Sequence, residues 1–204
     1  MPCILCFGDS LTWGQAPGGG RHTWANRWPV ALAECLPDAE VIGEGLPGRT
    51  TAFDTHHGPE QRNGAKILPT LLTSHAPLDL LVFQLGTNDV LLSGRTAQQS
   101  ALGLASLIRA VAFHPYPGFA PPPEVLVLGP LVPASAANIS DWERANCEAL
   151  PHAYEATAAD TGASFALIRD FADVSDEDGL HLSASDSRAL GTGLADRVRR
   201  TLSF

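Results

Sequence analysis

Near the start of the chain an apolar run, Ile4-Leu5-Cys6-Phe7, stops at Gly8 and delivers Asp9 and Ser10. Near the end, Asp178 stands three residues before His181. A serine hydroxyl is a weak nucleophile alone and needs a base that works near pH 7, which an imidazole supplies. The imidazole needs an acceptor on its other nitrogen. Asp178 has the spacing to provide it, with Asp176 of the same acidic stretch as the fallback. A tetrahedral intermediate needs donors for its oxyanion. The N–H of Ser10, the N–H of Gly48 and the side-chain amide of Asn88 are candidates. The set is the inventory of acyl transfer through an acyl-serine. Taken singly, Ser10 reads as a helix cap and Asn88-Asp89 as a cap pair; only the combination points to chemistry. The stretch Gly8-Asp9-Ser10-Leu11-Thr12 has no second glycine, so it is not a G-x-S-x-G elbow. Trp13 and Leu180, beside nucleophile and base, are candidates for lining a substrate pocket.

Residues so far apart in sequence need a framework that gathers them. Short runs at 3–7, 40–44, 79–85, 124–129 and 163–168 read as strands, most of them continuously apolar, as in strands covered on both faces. Helices are predicted at 24–36, 65–75, 97–113, 141–161 and 184–202. The first carries Trp24, Trp28, Ala31, Leu32 and Cys35 on one stripe, and Pro69 weakens the second. Thr96-x-x-Gln99, Ser140-x-x-Glu143 and Ser183-x-x-Asp186 open the other three. Strands alternating with helices predict an α/β protein: a parallel sheet with right-handed crossovers and helices on both faces. One domain, residues 1–204, is expected. Loops beyond the carboxyl ends of such strands open on one edge, where ligands bind. Ser10 follows the first strand, Gly45–Arg49 the second, Asn88 the third, and Asp178 to His181 come after the fifth.

Composition narrows the partners. The 204 residues are 45% apolar and 17% charged, with a net charge of −9 and a single lysine, Lys66. That balance argues against nucleic acid, which needs clustered cations. No stretch approaches the roughly 20 apolar residues of a membrane span, and no basic leader precedes the first strand, so a cytoplasmic, reducing setting is expected. Cys3 and Cys6 form C-x-x-C inside a strand, where residues three apart face opposite ways, so both are expected to be buried, inert thiols. His56-His57 with Glu60 reads as a surface loop rather than a metal site, and His22, His75, His114 and His152 have no evident partner. Gly18-Gly19-Gly20 lacks the G-K-[ST] of a phosphate loop. No metal or cofactor is called for. A ligand-binding module on a flavodoxin-like sheet is the rival of a different class, but it gives no use for Asp178 and His181.

Gly8-Asp9-Ser10-Leu11, a glycine after the second strand, Gly86-Thr87-Asn88-Asp89 and Asp178-x-x-His181 resemble, in order and from end to end, the four blocks of the SGNH (GDSL) hydrolases. Cys6 to Gly14 and Glu44-Gly45-Leu46-Pro47-Gly48-Arg49-Thr50-Thr51 resemble the arylesterase/acyltransferase branch. The resemblance implies a three-layer α/β/α sandwich with a flavodoxin-like five-stranded parallel sheet. It implies a serine esterase for short-chain or aryl esters, with acyl transfer to alcohols in some members. Carbohydrate acetylesterase and lysophospholipase are the alternatives within the fold. By matching motif, Ser10 is the nucleophile, His181 the base and Asp178 its orienter. Gly48 and Asn88 join the oxyanion hole; Gly45 is also available, but Gly48, just before Arg-Thr, matches better. The expected partners are a small ester, an alcohol acceptor and, as in related acyltransferases, other copies of the chain.

Overall fold

The computed structural model describes every residue except His57 and Phe204, and only the backbone of Phe119. Five strands, β1 (Cys3–Gly8), β2 (Glu40–Gly45), β3 (Leu80–Gln84), β4 (Glu124–Gly129) and β5 (Ser164–Leu167), pair in parallel in the order β2-β1-β3-β4-β5. The helices are α1 (Ser10–Trp13), α2 (Trp28–Cys35), α3 (Gly64–Ser74), α4 (Thr87–Leu91), α5 (Ala97–Phe113), α6 (Asp141–Thr161) and α7 (Ala184–Leu202). Along β1 the side chains alternate between two cores. Leu5 and Phe7 pack with α3, α5 and α6, whereas Ile4 and Cys6 pack with α2 and α7. A strand that feeds two cores has no polar face, which is why its sequence is an unbroken apolar run. The result is the three-layer α/β/α sandwich of flavodoxin-like order. That order places β1 beside β3 at the point where the crossovers diverge, so the loops bearing Ser10 and Asn88 become neighbours.

Local signals account for the helix boundaries. Thr96 with Gln99 and Ser140 with Glu143 form reciprocal capping boxes at α5 and α6. At α7 the Ser183 hydroxyl accepts the Asp186 N–H. Helix α3 runs through Pro69, because full burial of Leu68 and Leu72 outweighs the backbone bond that the proline forfeits. The predicted helix at 24–36 is broken. Trp24–Asn26 is a single 3₁₀ turn, Arg27 is extended at φ −86° and ψ 134°, and α2 starts afresh at Trp28 with Pro29 in its first turn, where no N–H is needed. Trp28 is therefore buried as expected, whereas Trp24 is 69% exposed.

Three histidines that looked unpartnered have partners. His22 Nε2 lies 3.0 Å from Leu182 O, His75 Nε2 3.0 Å from Glu44 Oε1, and His114 Nε2 3.0 Å from Thr73 Oγ1. Each contact spans at least 31 residues, a separation that sequence spacing does not reveal. Cys6 is fully buried and burial holds its thiol protonated, but Cys3 is only half-buried at the sheet's start. The expectation about His57 lies outside the described residues. Among the described residues, no helix is long and apolar enough to cross a membrane.

Candidate active site

Gly8 ends β1, and Asp9 caps α1 by accepting the Leu11 N–H at 3.0 Å. Because Asp9 does the capping, Ser10 becomes the first helical residue with its hydroxyl free for other work. Thr12 Oγ1 donates to Gln84 Oε1 at 2.9 Å and ties α1 to the end of β3. Gly45 presses against the backbone of Thr12 and Trp13, leaving no room for a Cβ. That close approach makes Gly45 a packing residue under α1.

The acidic loop before α7 is shaped by its own hydrogen bonds. Val174 and Leu182 form an antiparallel bridge, Ser175 N donates to His181 O at 2.8 Å, and Gly179 N to Ser175 O at 2.8 Å. Asp178 Oδ1 accepts the N–H groups of Leu180 and His181, both at 2.9 Å, and Oδ2 lies 2.7 Å from His181 Nδ1. His181 Nε2 is 3.2 Å from Ser10 Oγ. A proton on Nδ1 is held by the carboxylate, so Nε2 is left as the acceptor facing the serine hydroxyl. Burial alone would raise the Asp178 carboxyl, but the bonds from His181 and Leu180 outweigh it and hold it below its ordinary value. Asp176, the fallback, is exposed.

Donors gather on the other side of Ser10. Gly48 sits in the turn after β2 at φ +77°, a left-handed conformation that favours glycine. Among the described residues, neither the Ser10 N–H nor the Gly48 N–H has a protein acceptor. Asn88, in the first turn of α4, donates from Nδ2 to Arg49 O at 3.1 Å and approaches Asp9 Oδ2 at a long 3.5 Å. One amide hydrogen is thus anchored and the other only weakly held. Asn88→Ala is expected to lower kcat by about 10²- to 10³-fold with KM little changed, the size of one lost oxyanion donor. Steady-state kinetics on an acetate ester would measure it.

Sequence reasoning missed the buried charges behind these donors. Arg49 is 4% exposed; its Nη1 donates to Gly8 O at 2.9 Å and to Glu44 O, and its guanidinium lies 4.2 Å from the Phe7 ring centre. Asp89, fully buried, accepts from Thr51 N at 2.8 Å, Thr51 Oγ1 at 2.7 Å and Ser100 Oγ at 2.5 Å, and Ser100 Oγ pairs with the Tyr154 hydroxyl at 2.8 Å. That carboxylate ties the Gly48 loop, α4, α5 and α6 together. The only signal in the sequence was position, Arg49 following Gly48 and Asp89 following Asn88.

Burial pushes the carboxyls of Asp9 and Asp89 up to about 6, against hydrogen bonds that pull them down. Between about pH 4 and pH 6 the folded chain therefore binds more protons at these sites than the unfolded chain, and their contribution makes stability fall as pH rises. Asp178, held low, loses its contribution only below that window. Asp89→Asn is expected to flatten the decline of the thermal midpoint from pH 4 to pH 6.5, measured against wild type by a pH series of melts.

Ser10, Asn88 and His181 open onto a cavity of 180 Å³, whose other walls are mostly apolar, among them Leu91, Leu92, Leu131, Val174 and Leu180. Leu180 is where the sequence reading put it. Trp13 is not: it lies outside the lining, held under the Arg21 guanidinium at 4.6 Å from its ring centre, and Arg21 Nε donates to its carbonyl. Gly48 is not in the lining either; it lies against Leu92, which is.

The arrangement has known counterparts. Residues 6–188 match the sequence model of the GDSL-like lipase/acylhydrolase family. A solved structure of a carbohydrate acetylesterase family member from Sinorhizobium meliloti is 39% identical, with a TM-score of 0.93 and 100% of each chain covered. The aryl esterase of M. smegmatis is 35% identical, with a TM-score of 0.90, 98% of this chain and 100% of that one covered. A second carbohydrate acetylesterase from Sinorhizobium meliloti, Est24, is 33% identical at a TM-score of 0.91, covering 98% and 99%. No curated protein matches by sequence.

Proposed function

This chain belongs to the GDSL-like lipase/acylhydrolase family, and on that premise we propose that it is a serine ester hydrolase for short-chain or aryl carboxylic esters. The observation that carries the reading is the relay from Asp178 through His181 to Ser10, at 2.7 and 3.2 Å, opening onto an apolar cavity. Ser10 Oγ attacks the ester carbonyl carbon while His181 Nε2 takes its proton. Charge develops on the carbonyl oxygen, and the N–H groups of Ser10 and Gly48 with the Asn88 amide are the donors for it. Collapse expels the alcohol, protonated by His181, and leaves an acyl-Ser10. Water, or a second alcohol, then gives its proton to His181 and takes the acyl group, and His181 returns that proton to Ser10 Oγ as it leaves; the alcohol route makes the chain an acyltransferase.

Cavity size supports a short acyl group. At 180 Å³ it is well below the roughly 300 Å³ at which pockets for drug-sized ligands begin. An acetyl or butyryl chain can lie among Leu91, Leu131 and Leu180 while the alcohol part, aryl or sugar, stays outside. Likeness to carbohydrate acetylesterases favours acetylated sugars as a second substrate class on the same site.

The test is a series of aryl esters from acetate to octanoate, run with and without an alcohol acceptor, beside an acetylated monosaccharide. kcat/KM should peak at about two to four acyl carbons and fall at least about tenfold by eight, the penalty for a chain that the cavity cannot enclose. Octanoate turning over as fast as acetate would remove the short-acyl reading. New ester formed in the alcohol arm would establish transfer; free acid alone would leave a hydrolase.

A further inference from the structure

A second concavity, of 410 Å³, opens between α2 and the edge strand β2, with Thr12 of α1 in its wall. It shares no lining residue with the cavity at Ser10. Two cations reach into it. Arg21 is anchored by Nε on Trp13 O at 2.7 Å, and Arg27 by Nε on His22 O at 3.2 Å. Each guanidinium also lies over an indole, Arg21 over Trp13 at 4.6 Å and Arg27 over Trp24 at 5.4 Å.

Anchoring uses one donor of each fork. Among the described residues, the remaining N–H groups of both arginines have no protein acceptor, and neither arginine is in an ion pair. The one acid in the wall, Glu34, is already bound by Arg188 at 2.7 Å. Burial, and then the proximity of Arg27, disfavours the charge on Arg21. Holding two like charges together is unfavourable until a counter-charge arrives. Most of the remaining wall is apolar, with Pro29, Val30, Ala33 and Val41 beside Thr12, and Trp24 leaves 69% of its surface open. Capping the carbonyl end of α1 explains the Nε bond of Arg21. It explains neither the second arginine nor the exposed indole.

We propose that this concavity binds a monoanionic carboxylate carried on a flat apolar ring. The carboxylate takes the open donors of Arg21 and Arg27, whose planar forks match its two oxygens. The ring lies against Trp24 and the aliphatic wall. Phosphate, which carries no ring, forgoes the contacts with Trp24 and the aliphatic wall. The site stands independently of the ester chemistry.

The test is calorimetric titration of the purified full chain at constant ionic strength with benzoate, with benzyl alcohol, its neutral analogue, and with inorganic phosphate. Benzoate should bind at least about tenfold tighter than either, as the loss of charge-assisted bonds dictates. Arg27→Gln and, separately, Trp24→Ala should each weaken benzoate several-fold while acetate-ester turnover holds. Trp24→Ala changes an exposed side chain and guards against a folding defect at position 27. Absence of benzoate binding overturns the proposal. So does binding that both variants leave unchanged, the result if benzoate enters the cavity at Ser10 instead or if a second copy of the chain covers the site.

Discussion

Ser10→Ala is expected to lower kcat on a chromogenic acetate ester by about 10⁴- to 10⁶-fold, the range found when a serine nucleophile acting with a histidine is removed. The substitution deletes one oxygen. That oxygen caps nothing, since Asp9 supplies the N-terminal acceptor of α1, and among the described residues its one side-chain hydrogen-bond partner is His181 Nε2 at 3.2 Å. The fold should therefore survive, with a thermal midpoint close to wild type. His181→Ala should cost about as much, and the double variant no more than either single, because nucleophile and base act as one unit. Residual turnover tracks what remains: the oxyanion donors and the cavity. A Ser10→Ala protein that kept activity near wild type would remove the acyl-serine route altogether.

Much of the framework behind that expectation could be read from the chain. The central strands β1 and β3 are apolar on both faces, so their pattern is hard to mistake, and the starts of α5, α6 and α7 follow from serine or threonine caps whose side chains make the bonds their spacing implies. Ser10, Asn88, Asp178 and His181 could be nominated because loops after parallel strands share an edge. What escaped depends on contacts between distant segments. The break at Arg27 is set by its extended backbone and by Pro29, and nothing in the apolar stripe of 24–36 announces that Trp24 turns outward. The Asp89 network needs Thr51, Ser100 and Tyr154, brought together only by the packing of α4, α5 and α6. Trp13 lies three residues past the nucleophile, yet Arg21, arriving from the glycine-rich loop, determines where its ring rests. The matching motif favours Gly48 over Gly45, but what each glycine does shows only in the fold. Gly45 lies against the backbone of α1, and Gly48 holds a left-handed turn with an N–H that no acceptor claims among the described residues.

Asp178→Asn should reduce kcat by about 10⁴-fold with little change in KM, the loss seen when a triad carboxylate becomes its amide. Asp178 does two jobs with two oxygens. Oδ1 shapes the turn by accepting the N–H groups of Leu180 and His181, and an asparagine oxygen can do the same. Oδ2 accepts from the imidazole, and there the amide presents N–H instead. Facing a donor, Nδ1 must become the acceptor, which moves the ring proton to Nε2. That nitrogen then points a proton at Ser10 Oγ and cannot take one. Turn and tautomer are thereby separated: the thermal midpoint should move little while turnover collapses. Asp178→Ala would destroy both together and could not tell them apart. Asp176→Asn is the paired control; its exposed side chain should be silent. If Asp178→Asn retained activity within tenfold of wild type, His181 would have to take its orientation from another group. The 2.7 Å contact between them would then be part of the turn and not of the chemistry.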